Sequence, residues 1–206
     1  EIRTLQPNTA VLISNKNPDR FLTSALKVIA PGFGEPPFFN FDGVIVKMLR
    51  QGKSLIDART CGVSGCVESG AFGKEAYILT GYFNFPKILE ITLNNGIDPR
   101  TGKKLGIETG DPRNFNTYEE LYEAFLKQVK HFMDIKMKGN DIIEALYSKY
   151  LPVPFMSLWI DDCVKKAKDY NGGGARYNTQ YIQVVGLGTV SSAFSAIKFH
   201  VFDKKD

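Results

Sequence analysis

The sequence of 206 residues contains few of the side chains that build disulfides, metal sites and hydrolase triads: three cysteines and two histidines. Cys61, Cys66 and Cys163 are odd in number and have no disulfide spacing, so we expect a protein of the reducing cytoplasm. His131 and His200 have no metal-ligand spacing to the cysteines, and no second cysteine pair accompanies the first. We therefore expect neither a zinc site nor a Ser-His-Asp hydrolase.

Long apolar runs and a strong charge are also lacking. No apolar run reaches the ~18 residues that span a bilayer, and we expect no signal peptide. The net charge is +4, and the basic residues are scattered rather than gathered on a face with interleaved aromatic residues. We therefore expect neither a membrane nor a nucleic acid as partner. The apolar fraction of 43% is sufficient for a globular core.

The sequence does contain alternating strand and helix patterns. The short apolar segment 10–14 predicts a buried strand, and apolar residues at helical spacing predict a long helix over 118–150, with 139–140 as a candidate interruption. Ser54 is predicted to cap a short helix through Ala58 that contains Asp57 one turn in, and residues 117–120 fit a capping box that starts the long helix. Further segments are interpreted as a Gly-rich loop over 62–73, a buried strand over 156–160 and a helix over 161–169. This alternation is typical of an α/β fold with parallel strands buried on both faces. No linker-like break interrupts it, so we expect one domain.

Cys66 and Glu68 lie two residues apart in a Gly- and Ser-rich stretch, residues 61–70. Glycine on both sides permits a tight turn, from which a thiol and a carboxylate can face one cavity. Such a pair suits chemistry in which sulfur attacks one atom while the carboxylate moves a proton nearby. An isolated Cys-x-Glu is more often a buried thiol beside a solvent-facing glutamate. The length of the surrounding motif favours the functional interpretation here.

Two further features have competing interpretations. Tyr82 is either an ordinary half-buried aromatic with a hydrogen-bonded hydroxyl or a polar contact in the pocket beside the cysteine loop. The Gly-Leu-Gly at 186–188 lacks the third glycine and the downstream acidic residue of a dinucleotide site, so we interpret it as a strand-to-helix turn. Cys163 is predicted to be inert core, and Cys61 has no assigned role.

The motif Gly-Cys-Val-Glu at 65–68 is flanked by other distinctive segments. They lie at 6–8, 32–37, 56–59, 86–96, 171–178 and 188–198. Together these segments resemble the glycyl radical enzymes, the pyruvate formate-lyase-like superfamily. Because Val67 follows Cys66, the sequence departs from the adjacent cysteines of pyruvate formate-lyase itself. Segments 68–82 and 106–115 are most similar to the branch that dehydrates hydroxylated substrates, hydroxyproline among them.

The resemblance implies a fold, a mechanism and partners. The implied fold is a ten-stranded β/α barrel made of two five-stranded half-sheets, with the cysteine loop inside. A glycyl radical would take a hydrogen atom from Cys66, whose thiyl radical would take one from a carbon of a small hydroxylated substrate. Glu68 would act as the base when the hydroxyl leaves, and Tyr82 would help to hold the substrate. A radical S-adenosylmethionine activating enzyme would install the radical under anaerobic conditions, and we expect a homodimer.

One departure from the family limits this prediction. The Arg-Val-x-Gly-Tyr type motif that carries the glycyl radical is absent from the 206 residues, as are the upstream pocket residues. We therefore expect residues 1–206 to be a fragment of a single catalytic domain. Two alternatives stay open. The chain could belong to another glycyl radical enzyme, such as an arylacetate decarboxylase, a C–S or C–N lyase or an alkylsuccinate synthase, or to a truncated homologue that only binds partners.

Overall fold

The computed structural model describes residues 9–32, 34–65 and 67–204. The strands are β1 (Val11–Ile13), β2 (Phe38–Asn40), β3 (Cys61–Ser64), β4 (Glu68–Ala71), β5 (Glu75–Asn84) and β6 (Tyr177–Val185). The helices are α1 (Asp19–Ile29), α2 (Phe41–Arg50), α3 (Leu55–Arg59), α4 (Phe85–Thr92), α5 (Tyr118–Tyr150), α6 (Pro154–Ser157) and α7 (Leu187–Ile197). The described residues form two compact units. One extends to Ile78 and includes Tyr147–Thr179, and the other contains Leu79–Leu146 and the residues from Gln180 onward.

Local capping explains where two helices of the first unit, α2 and α3, begin. The Asn40 side chain accepts a hydrogen bond from the Gly43 amide at 3.0 Å and starts α2. The Ser54 hydroxyl accepts one from the Asp57 amide at 3.1 Å and starts α3, as the sequence predicts. Two small clusters form the core of this unit. They contain Met48, Ala58 and Cys61 in one, and Ala76, Ile78, Cys163, Tyr170 and Ala175 in the other.

The second unit is built around the long helix α5. The Thr117 hydroxyl accepts the Glu120 amide at 3.2 Å, and the Glu120 carboxylate accepts the Thr117 and Asn116 amides, which is a capping box. The helix then continues without interruption to Tyr150. Aromatic and aliphatic side chains of α4, α5 and α7 form one core with Phe83. Its buried members are Phe83, Ile88, Leu89, Leu121, Phe125, Val190 and Phe194.

The turn between β6 and α7 confirms the interpretation of the glycines at 186–188. Gly186 has φ +78° and ends the strand immediately before the helix. A Cβ at this position would lie 2.4 Å from the Pro86 ring. Close packing and a left-handed backbone therefore account for the glycine.

The mixed helix and strand composition is confirmed, but the strand pairing is only partly as predicted. Strands β1 and β2 pair in parallel, whereas β3 and β4 pair antiparallel. The predicted loop over 62–73 is therefore largely a hairpin. Glycine disfavours strands locally, but a Cβ at Gly62 would lie 2.3 Å from the Phe72 ring, so close packing requires glycine in this strand.

Two predicted elements after α5 are wrong. The apolar segment 156–160 is not a strand, because Pro154 opens the short helix α6 and turns follow it. The segment 161–169 is not a helix, because Asp162 and Ala167 have φ of +76° and +49°, which break helical geometry. A short apolar run cannot be assigned to strand or helix by periodicity alone.

Among the described residues, no helix combines the length and apolar character needed to cross a bilayer.

Candidate active site

The hairpin of β3 and β4 carries Glu68 at the start of its second strand. Cys61 pairs with Ala71 and Ser64 with Glu68, so the chain reverses its direction between Ser64 and Glu68. Gly65 has φ +57°, a backbone conformation that glycine adopts readily. Cys66 lies outside the residues that the structure describes, and its side chain stays a matter of prediction.

The Glu68 carboxylate folds back over this turn. Its Oε2 atom accepts a hydrogen bond from the Val67 amide at 2.9 Å. A Cβ added at Gly65 would lie 2.5 Å from the same oxygen, so the missing side chain at Gly65 leaves room for the carboxylate. Glu68 is half-buried and therefore still reachable by a small molecule. The carboxylate thus lies against the backbone of Gly65 and Val67, where it can accept a proton.

The strands of the hairpin are packed closely from several sides. Lys47 of α2 donates a hydrogen bond to the Ser69 hydroxyl at 2.7 Å. A Cβ at Gly70 would lie 2.5 Å from both the Glu75 carboxylate and the Tyr77 hydroxyl. The hairpin therefore depends on glycine where buried polar groups approach its backbone.

Asp57 of α3 binds three groups from other parts of the first unit. Its carboxylate accepts hydrogen bonds from the Lys74 ammonium at 2.6 Å and the Tyr177 hydroxyl at 2.7 Å, and Arg176 lies 3.4 Å away. The Lys74 hydrogen bond, followed by that of Tyr177, holds the pKa of this buried carboxyl far below its ordinary value. Sequence reasoning identified Asp57 only as a residue of the first helical turn, because its partners are distant in the chain.

The depressed pKa of Asp57 predicts a pH-dependent stability. A carboxyl whose pKa is lowered by folding stabilises the protein above its ordinary pKa, near 3.8, and that stabilisation is lost as pH falls toward the folded value. We expect Asp57→Asn to lower the opening free energy of α3 by about 2 kcal/mol at pH 7. The difference from wild type should shrink as pH falls below about 4.

Hydrogen exchange in the full-length protein measures this effect, at the Ala58 and Thr60 amides that α3 protects. Asp111, a partly buried carboxylate of the second unit that pairs with Arg113, provides the control Asp111→Asn. A difference of the same size at pH 7 and pH 3 would contradict the assignment of this pKa to the Asp57 contacts.

Both cysteines that the structure describes, Cys61 and Cys163, have the environment of unreactive thiols. Cys61 and Cys163 are buried, and desolvation raises the pKa of both thiols. This agrees with the prediction of Cys163 as inert core, although the residue lies in a turn rather than in a helix. Both thiols should therefore stay protonated near neutral pH.

Tyr82 lies on β5 in the second unit, with 64% of its surface exposed. Both interpretations of Tyr82, as an ordinary aromatic residue and as a substrate contact, stay predictions. A cavity of about 310 Å³ in this unit is lined mainly by aromatic and aliphatic side chains, including Tyr118 and Phe194. Tyr82 is not among its lining residues.

In the described part of the chain, no three or more His, Cys, Asp or Glu side chains lie together as metal ligands would.

Comparison with known proteins identifies the class. The family model described as pyruvate formate lyase-like matches residues 1–206. The chain belongs to this family, as the sequence predicts.

Particular relatives are more informative still. The chain is 55% identical over 205 residues to trans-4-hydroxy-L-proline dehydratase of Clostridioides difficile, covering 100% of this chain and 26% of that protein. A crystal structure of the hydroxyproline dehydratase from Clostridioides difficile, with its substrate bound, matches with a TM-score of 0.93 and 56% identity over 97% of this chain and 25% of that one. The glycerol-bound B12-independent glycerol dehydratase from Clostridium butyricum matches with a TM-score of 0.90 and 32% identity, covering 97% and 25%. The chain thus spans about a quarter of the length of these relatives.

Proposed function

We propose that this chain carries the cysteine loop of a glycyl radical hydro-lyase that removes water from trans-4-hydroxy-L-proline. The observation that carries the proposal is 55% identity to a dehydratase of that substrate over the whole chain. The similarity falls to 32% for the glycerol dehydratase, so the hydroxyproline enzyme is the better guide to the substrate. The similar solved structures also support placing the β3–β4 hairpin inside a ten-stranded β/α barrel in the complete protein.

The reaction proposed for the cysteine loop is a radical dehydration. The glycyl radical expected outside these 206 residues supplies the unpaired electron. Cys66, as a thiyl radical, takes a hydrogen atom from a carbon of the substrate and leaves a carbon radical. This radical loses its hydroxyl with the bonding electron pair and also loses a proton, so that water forms overall. The product radical then takes the hydrogen atom back from Cys66, which regenerates the thiyl radical.

Glu68 is the base in this proposal. Its carboxylate accepts a hydrogen bond from the Val67 amide through Oε2, which orients the side chain, and Val67 directly follows Cys66 in the sequence. The proton that the substrate radical loses passes to Glu68 and from there to the departing hydroxide, so that water leaves and the carboxylate is regenerated. Tyr82 is proposed to contact the substrate through its hydroxyl. We also propose a radical S-adenosylmethionine activating enzyme as partner, a homodimeric assembly and a cytoplasmic location, all from the family resemblance.

A substrate panel tests the proposed function. The full-length protein, activated anaerobically, is supplied separately with trans-4-hydroxy-L-proline, glycerol, 1,2-propanediol and choline. We expect hydroxyproline to be consumed with a kcat/KM at least about 100-fold above that of the others, since a site built to bind one polar substrate discriminates strongly against different ones. Preference for a diol would instead favour a glycerol dehydratase-like enzyme. Consumption of none, with the radical present, would remove the dehydratase assignment.

A further inference from the structure

A buried ion pair lies beneath the cysteine loop and has no part in the chemistry described above. Glu75 at the start of β5 is fully buried, and the Lys53 side chain between α2 and α3 is nearly so. The Lys53 ammonium lies 3.1 Å from Oε1 of Glu75. Burial of two charges costs as much free energy as their attraction returns, so net stabilisation is a poor explanation for such a pair.

The Glu75 carboxylate contacts the hairpin directly. Its Oε2 atom accepts the Ala71 amide at 2.7 Å, at the last residue of β4. The same oxygen would lie 2.5 Å from a Cβ at Gly70, which shows how closely the carboxylate lies against the strand. Oε1 accepts the Thr179 hydroxyl of β6 at 2.5 Å. Glu75 therefore connects the end of β4 to β6.

The Lys53 ammonium connects the Glu75 carboxylate to the segment between α2 and α3. It donates a hydrogen bond to the Gln51 side chain at 2.8 Å, and it lies 5.5 Å from the centre of the Tyr177 ring. The Lys53 amide donates to the Met48 carbonyl at 3.2 Å, which anchors the residue to the end of α2. The pair thus ties the hairpin, the α2–α3 connection and β6 together.

We propose that Lys53 and Glu75 are positioning residues that hold the β3–β4 hairpin so that Cys66 and Glu68 meet the substrate correctly. This inference rests on the proposed function of the cysteine loop. Ala71 is three residues from Glu68 along β4, a distance of about 10 Å. Holding β4 in place at Ala71 limits the movement of Glu68 at the other end of the strand. Such restriction matters because reacting groups must be held within about 0.5 Å of their productive positions.

The test removes both charges together in the full-length protein. Either single change leaves one buried charge uncompensated, whereas Lys53→Met with Glu75→Gln removes both charges and keeps the side-chain volumes similar. Thr179→Val provides a second variant that removes one hydrogen bond to Glu75 and changes no charge. The matched control is Lys130→Met with Asp134→Asn, which removes an exposed ion pair of α5.

Two measurements decide the proposal: hydrogen exchange of the amides in residues 61–71, and kcat per glycyl radical counted by electron paramagnetic resonance. We expect the double variant to exchange these amides at least about tenfold faster, to lose about 10- to 100-fold in kcat and to keep KM within about twofold. Thr179→Val should show a smaller change in the same direction. The control should match wild type in both measurements.

Unchanged exchange and unchanged kcat in the folded double variant, or in Thr179→Val if the double variant does not fold, would overturn the proposal. A loss of stability with exchange spread evenly over the protein would also overturn it, because a merely structural pair gives that result. The exchange measurement needs no substrate. If wild type consumes no hydroxyproline, the proposed function fails while the exchange arm still shows whether the pair holds the hairpin.

Discussion

Cys66→Ala in the full-length, activated protein is expected to abolish turnover and to leave the glycyl radical signal intact. The radical is stored on a glycine outside this chain, so its formation does not require the thiol. Hydrogen transfer to and from the substrate does require it in the proposed mechanism, and the two described cysteines, Cys61 and Cys163, are both buried. We expect kcat to fall by roughly 10⁴-fold or more, as when a residue that reacts covalently is removed.

The matched control for this variant is Cys163→Ala. Cys163 is a buried thiol in a turn of the same unit, outside the two strands of the hairpin, and burial raises its pKa. Its removal should leave turnover per radical within about twofold of wild type and cost about 1 kcal/mol of stability through the small cavity. Normal turnover by Cys66→Ala would contradict the role of Cys66, whatever the control shows.

Glu68→Gln is expected to lower kcat by about 10²- to 10⁴-fold with little change in KM. Glutamine keeps the size of the side chain and an oxygen that can accept the Val67 amide, so the turn should keep its shape. It cannot take up a proton as a carboxylate does. The loss should therefore appear in the chemical step and not in substrate binding.

The control for Glu68→Gln is Glu123→Gln on the exposed face of α5, which makes the same chemical change away from the hairpin. Steady-state kinetics per counted radical separate kcat from KM in both variants. A glutamine variant with wild-type kcat would show that Glu68 is not the base.

Local signals in the sequence predicted much of the fold. Ser54 and the Thr117–Glu120 capping box mark helix starts through contacts within one turn, and the structure confirms both. The hairpin was missed because its glycines disfavour strands, while the packing that requires them comes from Phe72 and Glu75. The apolar segment 156–160 was assigned wrongly because Pro154 and the turns that follow decide its conformation.

The candidate site was predictable to a different degree. Cys66 and Glu68 are two residues apart in the sequence, which predicts that they share one turn, and the resemblance supplies their proposed roles. The buried pair of Lys53 and Glu75 was not predictable, since the two residues are 22 positions apart and no local pattern connects them. The interaction of Thr179 with Glu75 spans 104 positions and is visible only in the structure.

The most direct measurement is the fate of trans-4-hydroxy-L-proline with the full-length, anaerobically activated wild-type protein. Electron paramagnetic resonance counts the glycyl radical, and mass spectrometry follows the substrate. We predict that hydroxyproline disappears, that a product lacking one molecule of water appears, and that the rate scales with the radical content. A protein that carries the radical and leaves hydroxyproline unchanged would contradict the central claim.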